Sequence, residues 1–384
     1  MNVRNLCIAF AIVTLAAPAV AENYSPAKVI QAMKVDNSRL RIVVEHRGHF
    51  SGGCPENSAC AMAATADGGI EAAEIDIRES ADGTLWPIHD TKIGRLTNYS
   101  ANGHLFNPFY HSAQNDVNNP AIEAMRDATL RTLKLRDPSG VVTSSPFQPL
   151  EAMMHQVDVR NRNLVYVFDI KTKAAIGKVA AMIKRLGLDD RSVLKFNSTL
   201  TSVSEVSAET QGLHFVPVLG TGSLDQIADH HHLEKSQPSE RIAAYVSDWA
   251  HTGGFVYFEV RNKMFSGPSS GNTFDAKVEG PLSELDFYMA LSRIAIGGYA
   301  PHTEHYSTAD QPGTGYYFVD GQCCQQLGGT LDRSRAFGPD LRDDRENLHY
   351  MISYNAVTIS DQAASALNVA RAMGGRADQY KLYY

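Results

Sequence analysis

The sequence predicts an α/β chain folded as a (β/α)8 TIM barrel, with two long insertions over the active face. Three observations predict it. Eight short, apolar, β-rich runs recur along the chain; helix-like stretches separate them; and no Pro/Ser-rich linker, repeat or low-complexity tract divides the 384 residues. A β-then-α alternation builds a parallel sheet, and α/β barrels run longer than ordinary single domains.

The runs, in order, are Arg41 to Glu45, Ala72 to Ile77, Leu164 to Ile170, Ser192 to Phe196, Leu213 to Leu219, Phe255 to Val260, Ile294 to Tyr299 and Ala356 to Ser360. Two stretches are too long for plain connections: about 91–162, and the Gly-rich 306–342, which holds Cys323 and Cys324. Insertions in a barrel usually sit over the active face, so these two are candidates for substrate selection.

The beginning of the chain sets the compartment. Residues 1–21 carry Arg4, an apolar stretch from Leu6 to Val20, and a small-residue Ala19-Val20-Ala21 site, the layout of a secretory signal peptide. The expected mature chain, residues 22–384, is a single barrel domain exported to the periplasm or outside the cell. No later segment offers the about 20 apolar residues of a transmembrane helix. Four cysteines remain after cleavage, Cys54, Cys60, Cys323 and Cys324, an even number that favours disulfides without fixing their pairing. Losing Arg4 takes the formal charge from −7 to −8. That mild acidity, with no long basic run, argues against nucleic acid as a partner.

The chemistry concentrates at strand ends. Between Glu74 and Asp90 the chain reads EIDIRESADGTLWPIHD. Alternation along a strand puts Glu74 and Asp76 on one face, where two carboxylates can hold a hard divalent cation. His46 and Arg47 close the first run, His89 and Asp90 follow the second, and Asp169 and Lys171 share a face at the end of the third. The strand ends of a barrel converge on one rim, so these groups would crowd a single cleft. Such a cleft suits a phosphate ester: a cation and basic side chains spread the charge on the phosphoryl oxygens, while histidines move protons.

Other features read more plainly. Asp229-His230-His231-His232 is expected to be a solvated loop, because three consecutive side chains do not easily converge on one ion. His302, Glu304 and His305 match no ligand motif, and Gly313-Thr314-Gly315 lacks the strand-to-helix setting of a phosphate loop. Trp249, Tyr257 and Tyr299 are either rim aromatics for a choline-like group or core.

His46-Arg47-Gly48, Pro55-Glu56-Asn57-Ser58, Glu74-x-Asp76, Asp82-Gly83 and His89-Asp90, continued by Arg95 and Thr97, resemble the signature of the glycerophosphodiester phosphodiesterases, a (β/α)8 family of the PLC-like phosphodiesterase superfamily. The likeness spans Arg41 to Thr97, returns at Leu164 to Lys171, and returns again at Arg345 to Asp361. The resemblance implies His46 and His89 as the acid/base pair, Arg47 as a phosphate clamp and Lys171 beside the phosphate. It implies Glu74 and Asp76 as ligands of one divalent cation, Mg²⁺ or Ca²⁺, with Asp169 as the third carboxylate. The family usually has glutamate at the Asp169 position. Asn57 would add an oxygen ligand or a hydrogen bond near the metal, and Asp90 would orient His89 or cap the next turn. The implied substrate is a small-molecule or lipid-derived phosphodiester. The run Val167 to Thr172 also looks like the third-strand motif of the sphingomyelinase D type phospholipases, although those lack the HRG and PEN runs. A non-catalytic phosphodiester-binding barrel is the reading of a different class, and the intact histidine pair argues against it.

Overall fold

The computed structural model describes residues 24–50, 53–108, 110–157, 163–219, 221–234, 238–260, 262–263, 274–275, 294–300, 316–319, 322–326 and 348–384. The expected signal peptide, residues 301–315 with His302, Glu304, His305 and Gly313-Thr314-Gly315, and most of 306–342 lie outside them.

Eight parallel strands close on themselves: β1 Ile42–Glu45, β2 Ala72–Glu79, β3 Val165–Ile170, β4 Ser192–Asn197, β5 His214–Leu219, β6 Phe258–Val260, β7 Ile296–Ala300 and β8 Val357–Ser360. β1 pairs with β2 on one side and with β8 on the other, which completes the (β/α)8 TIM barrel. β6 is shorter than expected. Phe255 bridges to Phe215, but Gly254 just before it has φ 94°, so the chain enters the sheet through a turn. Helix follows strand as the pattern requires, for example Lys173–Leu186 after β3, whose left-handed Gly187 ends it.

Alternation sorts the strand residues between two cores. Ile75 and Ile77, Phe168 and Ile170, and Leu194 and Phe196 point outward and pack with helix residues such as Ile176, Val179 and Ile183. Ile42, Val44, Ala72, Val165, Val167, Val193, Val216, Val357 and Ile359 fill the interior, and Val29, Ile30 and Met33 of helix Pro26–Met33 join them at its lower end. Gly297 makes room within the wall: a Cβ there would lie 2.3 Å from Cε2 of the buried Tyr257.

Above these apolar layers the same inward positions turn charged. Continuing the period of two past Val44 reaches His46; past Ala72, Glu74 and Asp76; past Val167, Asp169; past Val193, Lys195; past Tyr257, Glu259; and past Ile359, Asp361. Register reinforces this: Asp76 is opposite Asp169, and Asp169 is opposite Lys195. The polar layer therefore sits at the carboxyl ends of the strands, the face on which barrels carry their sites.

The first insertion forms a small core of Ile93, Ile122, Leu130, Leu135 and Phe147 with Trp86 from the strand just before it. Of the second, the described residues form an antiparallel hairpin, Tyr316–Val319 with Gln322–Gln326, which includes Cys323 and Cys324. Its second strand lies against helix Tyr110–Asn115 of the first insertion. Among the described residues, no helix is long and apolar enough to cross a membrane.

Candidate active site

The turn after β1 is conformationally demanding. Arg47 has φ 57° and Gly48 φ 73°, and Asn57 farther along has φ 53°. A left-handed arginine and asparagine are uncommon and persist where surrounding contacts fix them. Here the Asn57 N–H donates to the Arg47 carbonyl at 2.9 Å, and Cys54 and Cys60 flank the segment with a disulfide, Cα atoms 5.5 Å apart. Ser58 caps helix Ala59–Asp67, its hydroxyl accepting from the Ala61 N–H at 3.1 Å.

The turn brings His46 and Arg47 over the mouth. Nε2 of His46 is 3.3 Å from Oε2 of Glu74, and Nδ1 is 2.6 Å from Oδ1 of Asp361. Arg47 reaches Asp76 through Nε and Glu56 through Nη1, each at 3.3 Å. Lys171 Nζ lies 2.7 Å from Oδ1 of Asp76 and 2.9 Å from Oδ2 of Asp169. His89 enters from the hairpin after β2, with Nδ1 3.2 Å from Oδ1 of Asp90. Seven of the expected residues, His46, Arg47, Glu74, Asp76, His89, Asp169 and Lys171, thus share one site.

The other two expected residues, Asn57 and Asp90, take the supporting alternative of their expected roles. Asn57 braces Asp76: its Oδ1 accepts the Asp76 backbone N–H at 2.9 Å and its Nδ2 donates to Oδ2 of Asp76 at 3.0 Å. Its oxygen is committed to that N–H, so it is a support of the carboxylate. Asp90 is fully buried and gripped by Arg95 at 2.6 and 2.7 Å, with Gln114 of the first insertion at 3.1 Å. Arg95 also donates to both oxygens of Glu56, at 2.8 and 3.0 Å. A buried chain thus runs from His89 through Asp90, Arg95, Glu56 and Arg47 to Asp76.

Lys195 and Glu259 had no expected role. Lys195 Nζ lies 2.5 Å from Glu74, 3.1 Å from Asp169 and 3.0 Å from Glu259. The available signal was a lone lysine in the apolar run SVLKF, in phase with Val193, and a lone glutamate in phase with Tyr257. Tyr299 was left open between core and rim; its hydroxyl donates to Oδ2 of Asp361 at 3.0 Å and its ring packs 4.5 Å from that of His46. Trp249 and Tyr257 are core residues.

The electrostatics follow from these contacts. Burial works against a charged His46, but Asp361 and Glu74 outweigh it and raise its pKa. Burial, then the charge of Arg47, lowers that of His89. Burial would raise Asp76, yet Lys171, His89 and Arg47 hold it well below its ordinary value. Glu74 is raised, by burial first and then by Asp76 and Asp169, against the pull of Lys195 and His46. The two imidazoles are thus displaced in opposite directions.

His46, Glu74 and Asp76 each offer a ligand atom within 4.8 Å of the others. The contacts of Asp169 are instead to Lys171 and Lys195. The mouth therefore contains a possible metal site at the centre of the cluster.

Comparison with known proteins agrees with this geometry. The glycerophosphoryl diester phosphodiesterase family model matches residues 46–226. A glycerophosphoryl diester phosphodiesterase from Parabacteroides distasonis superposes with a TM-score of 0.55 at 13% identity, over 92% of this chain and 94% of that one. A protein from Silicibacter pomeroyi, proposed to be an enzyme of the same kind, superposes with a TM-score of 0.56 at 15% identity, over 90% and 98%. No curated protein matches the chain. The structural neighbours share the barrel, and the matched segment, just under half of the chain, contains the HRG, PEN, Glu-x-Asp and His-Asp residues in order: the chain carries a domain similar to the glycerophosphoryl diester phosphodiesterase family.

Proposed function

We propose that the protein is an exported, divalent-metal-dependent enzyme that hydrolyses small-molecule or lipid-derived glycerophosphodiesters to glycerol 3-phosphate and an alcohol by proton transfer at His46 and His89. The observation that carries this reading is the meeting of both imidazoles with Arg47, Lys171 and the carboxylates of Glu74, Asp76 and Asp169 at one barrel mouth. Export is supported by the signal-peptide layout of residues 1–21.

The mouth fits a hard cation. Oε2 of Glu74 and Oδ1 of Asp76 are buried and, apart from their charge contacts to His46 and Lys171, lack a hydrogen-bond partner among the described residues. Carboxylate oxygens suit Mg²⁺ or Ca²⁺, and Glu74 and Asp76 would hold the ion, with Asp169, opposite Asp76 in the sheet, as the third carboxylate. Such an ion, when bound, supplies Lewis-acid stabilisation of the phosphoryl oxygens.

The chain's own residues do the rest. Arg47 and Lys171 bind the non-bridging oxygens of the phosphodiester. His89, kept neutral, removes a proton at its ring nitrogen from the attacking water, whose oxygen replaces the departing alkoxide on phosphorus; Asp90, fixed by Arg95, orients the imidazole. His46, kept charged by Asp361, delivers a proton to the departing alkoxide. Lys195 offsets the carboxylates from below.

Phosphorus NMR of the purified protein with glycerophosphocholine and Mg²⁺, Ca²⁺ or EDTA tests the reading. Appearance of glycerol phosphate with metal, and its absence with EDTA, is expected. A cyclic phosphate from lysophosphatidylcholine would move the protein to the sphingomyelinase D type chemistry, and silence on both substrates would overturn hydrolysis.

A further inference from the structure

A second cluster of metal-ligating side chains lies outside the barrel mouth. The sequence predicts a solvated loop at Asp229-His230-His231-His232, but His230 and His231 are the last two residues of helix Thr221–His231, and only His232, at φ 55°, leaves it. Helix Pro238–Ala250 packs against that helix and supplies Asp248.

The two imidazole rings are 4.8 Å apart and edge-on, and Nε2 of His231 is 2.7 Å from Oδ2 of Asp248. One ligand atom from each of His230, His231 and Asp248 lies within 4.8 Å of the others. Both histidines are exposed, so an ion reaches them from solvent. Successive helical side chains diverge by about 100°, which is why three in a row do not share an ion. Two can do so when the third ligand comes from a facing helix, and Asp248 does.

The donor set selects the ion. Two imidazoles and one carboxylate suit a borderline cation such as Zn²⁺, whereas the carboxylate-rich mouth suits a hard one. Around tetrahedral zinc, bonds of about 2.0–2.2 Å separate ligand atoms by roughly 3.3–3.6 Å, so modest side-chain rotation closes the cluster. Three protein ligands leave one position open. His230 and Asp248 also line a cleft of about 550 Å³ with Ser198, Thr201, Ser223 and Tyr245. In its wall the buried Thr201 hydroxyl has no hydrogen-bond partner among the described residues.

We propose that His230, His231 and Asp248 form a surface site for a Zn²⁺-class cation that cross-links helices Thr221–His231 and Pro238–Ala250 and keeps one coordination position for an oxygen ligand from the cleft. The site is independent of the chemistry at the barrel mouth.

The test uses Zn²⁺ alone and the full exported chain carrying Glu74→Gln and Asp76→Asn, which takes the mouth carboxylates out of competition. Equilibrium dialysis with metal analysis should find one zinc per chain, and zinc should raise the thermal midpoint. Adding His230→Ala and His231→Ala should remove both the bound zinc and the thermal shift; Asp248→Asn should weaken binding by at least about tenfold. His230→Ala/His231→Ala in the otherwise native enzyme should keep its circular dichroism spectrum and phosphodiesterase rate, showing that the fold survives. No zinc on the parent, or equal zinc after the histidine substitutions, overturns the proposal.

Discussion

Nδ1 of His46 lies 2.6 Å from Oδ1 of Asp361, joining the residue after β1 to the residue after β8 across the seam that closes the barrel. Barrel closure and the charge state of His46 are therefore one structural fact. Asp361, steadied by the Tyr299 hydroxyl, raises the His46 pKa against burial, while burial and Arg47 lower that of His89.

The pH dependence follows with its sign. In the proposed mechanism His89 acts deprotonated, so kcat/KM should rise as pH passes its lowered pKa, below the ordinary value near 6.5, and His46 acts protonated, so kcat/KM should fall as pH passes its raised pKa, above that value. Asp361→Asn removes a raising charge, so the falling limb should move to lower pH while the rising limb stays. A pH–rate profile checks this, and an unmoved falling limb would remove His46 as the acid.

Substitution of either histidine should cost at least about a hundredfold in kcat, the usual scale of a lost proton carrier. His89→Ala is the cleaner variant, because His46 also faces buried Asp361 and Glu74 and His46→Asn is needed to keep a polar partner there. The double substitution should cost little more than the worse single one, since the proposed acid/base pair acts as a unit. Steady-state release of glycerol phosphate measures all three, with circular dichroism confirming the fold.

Much of this site was legible because barrels bury strands on both faces. Such strands read as apolar runs, and a pair of charges two apart at the run's end, as at Glu74 and Asp76 or Asp169 and Lys171, marks where the interior stops being apolar. Lys195 and Glu259 were not legible because each is a single charge within a run, and Lys195 meets Glu74 121 positions away and Glu259 64 positions away. The bracing by Asn57 depends on a left-handed backbone that sequence does not announce. The disulfide of Cys54 and Cys60, and the helical ending at His231, were equally closed to inspection: one is a choice among pairings, the other a tertiary outcome of packing against a second helix.

The buried chain through Arg95 should be stabilising only while complete. Arg95→Met leaves Asp90 and Glu56 buried without their main cation, a loss on the order of 3–5 kcal/mol. Burial would raise the Asp90 carboxyl, but Arg95 depresses it far below its ordinary value. A depressed carboxyl contributes stability above its unfolded pKa of about 3.9 and loses it as pH falls through the folded value. The native protein should therefore lose stability progressively below about pH 4, and the variant should lose less over the same range. Urea unfolding at several pH values measures both, and identical acid slopes would show that Asp90 draws its low pKa from elsewhere.

Gly48 should be the least replaceable glycine of the site. Its φ of 73° alone would cost alanine about 1–2 kcal/mol. A Cβ would also lie 2.6 Å from the terminal methyl of Met62 and 3.0 Å from the backbone carbon of Ala61. The methionine end can swing away, but the capped helix carrying Ala61 cannot, so the turn itself must move, and with it His46 and Arg47. Gly48→Ala should accordingly lower both the unfolding midpoint and kcat. Adding Met62→Ala should restore only part of the stability and little of the rate, since it relieves neither the positive φ nor the Ala61 contact. Full recovery of kcat in the double variant would mean that the Met62 clash alone displaces His46 and Arg47.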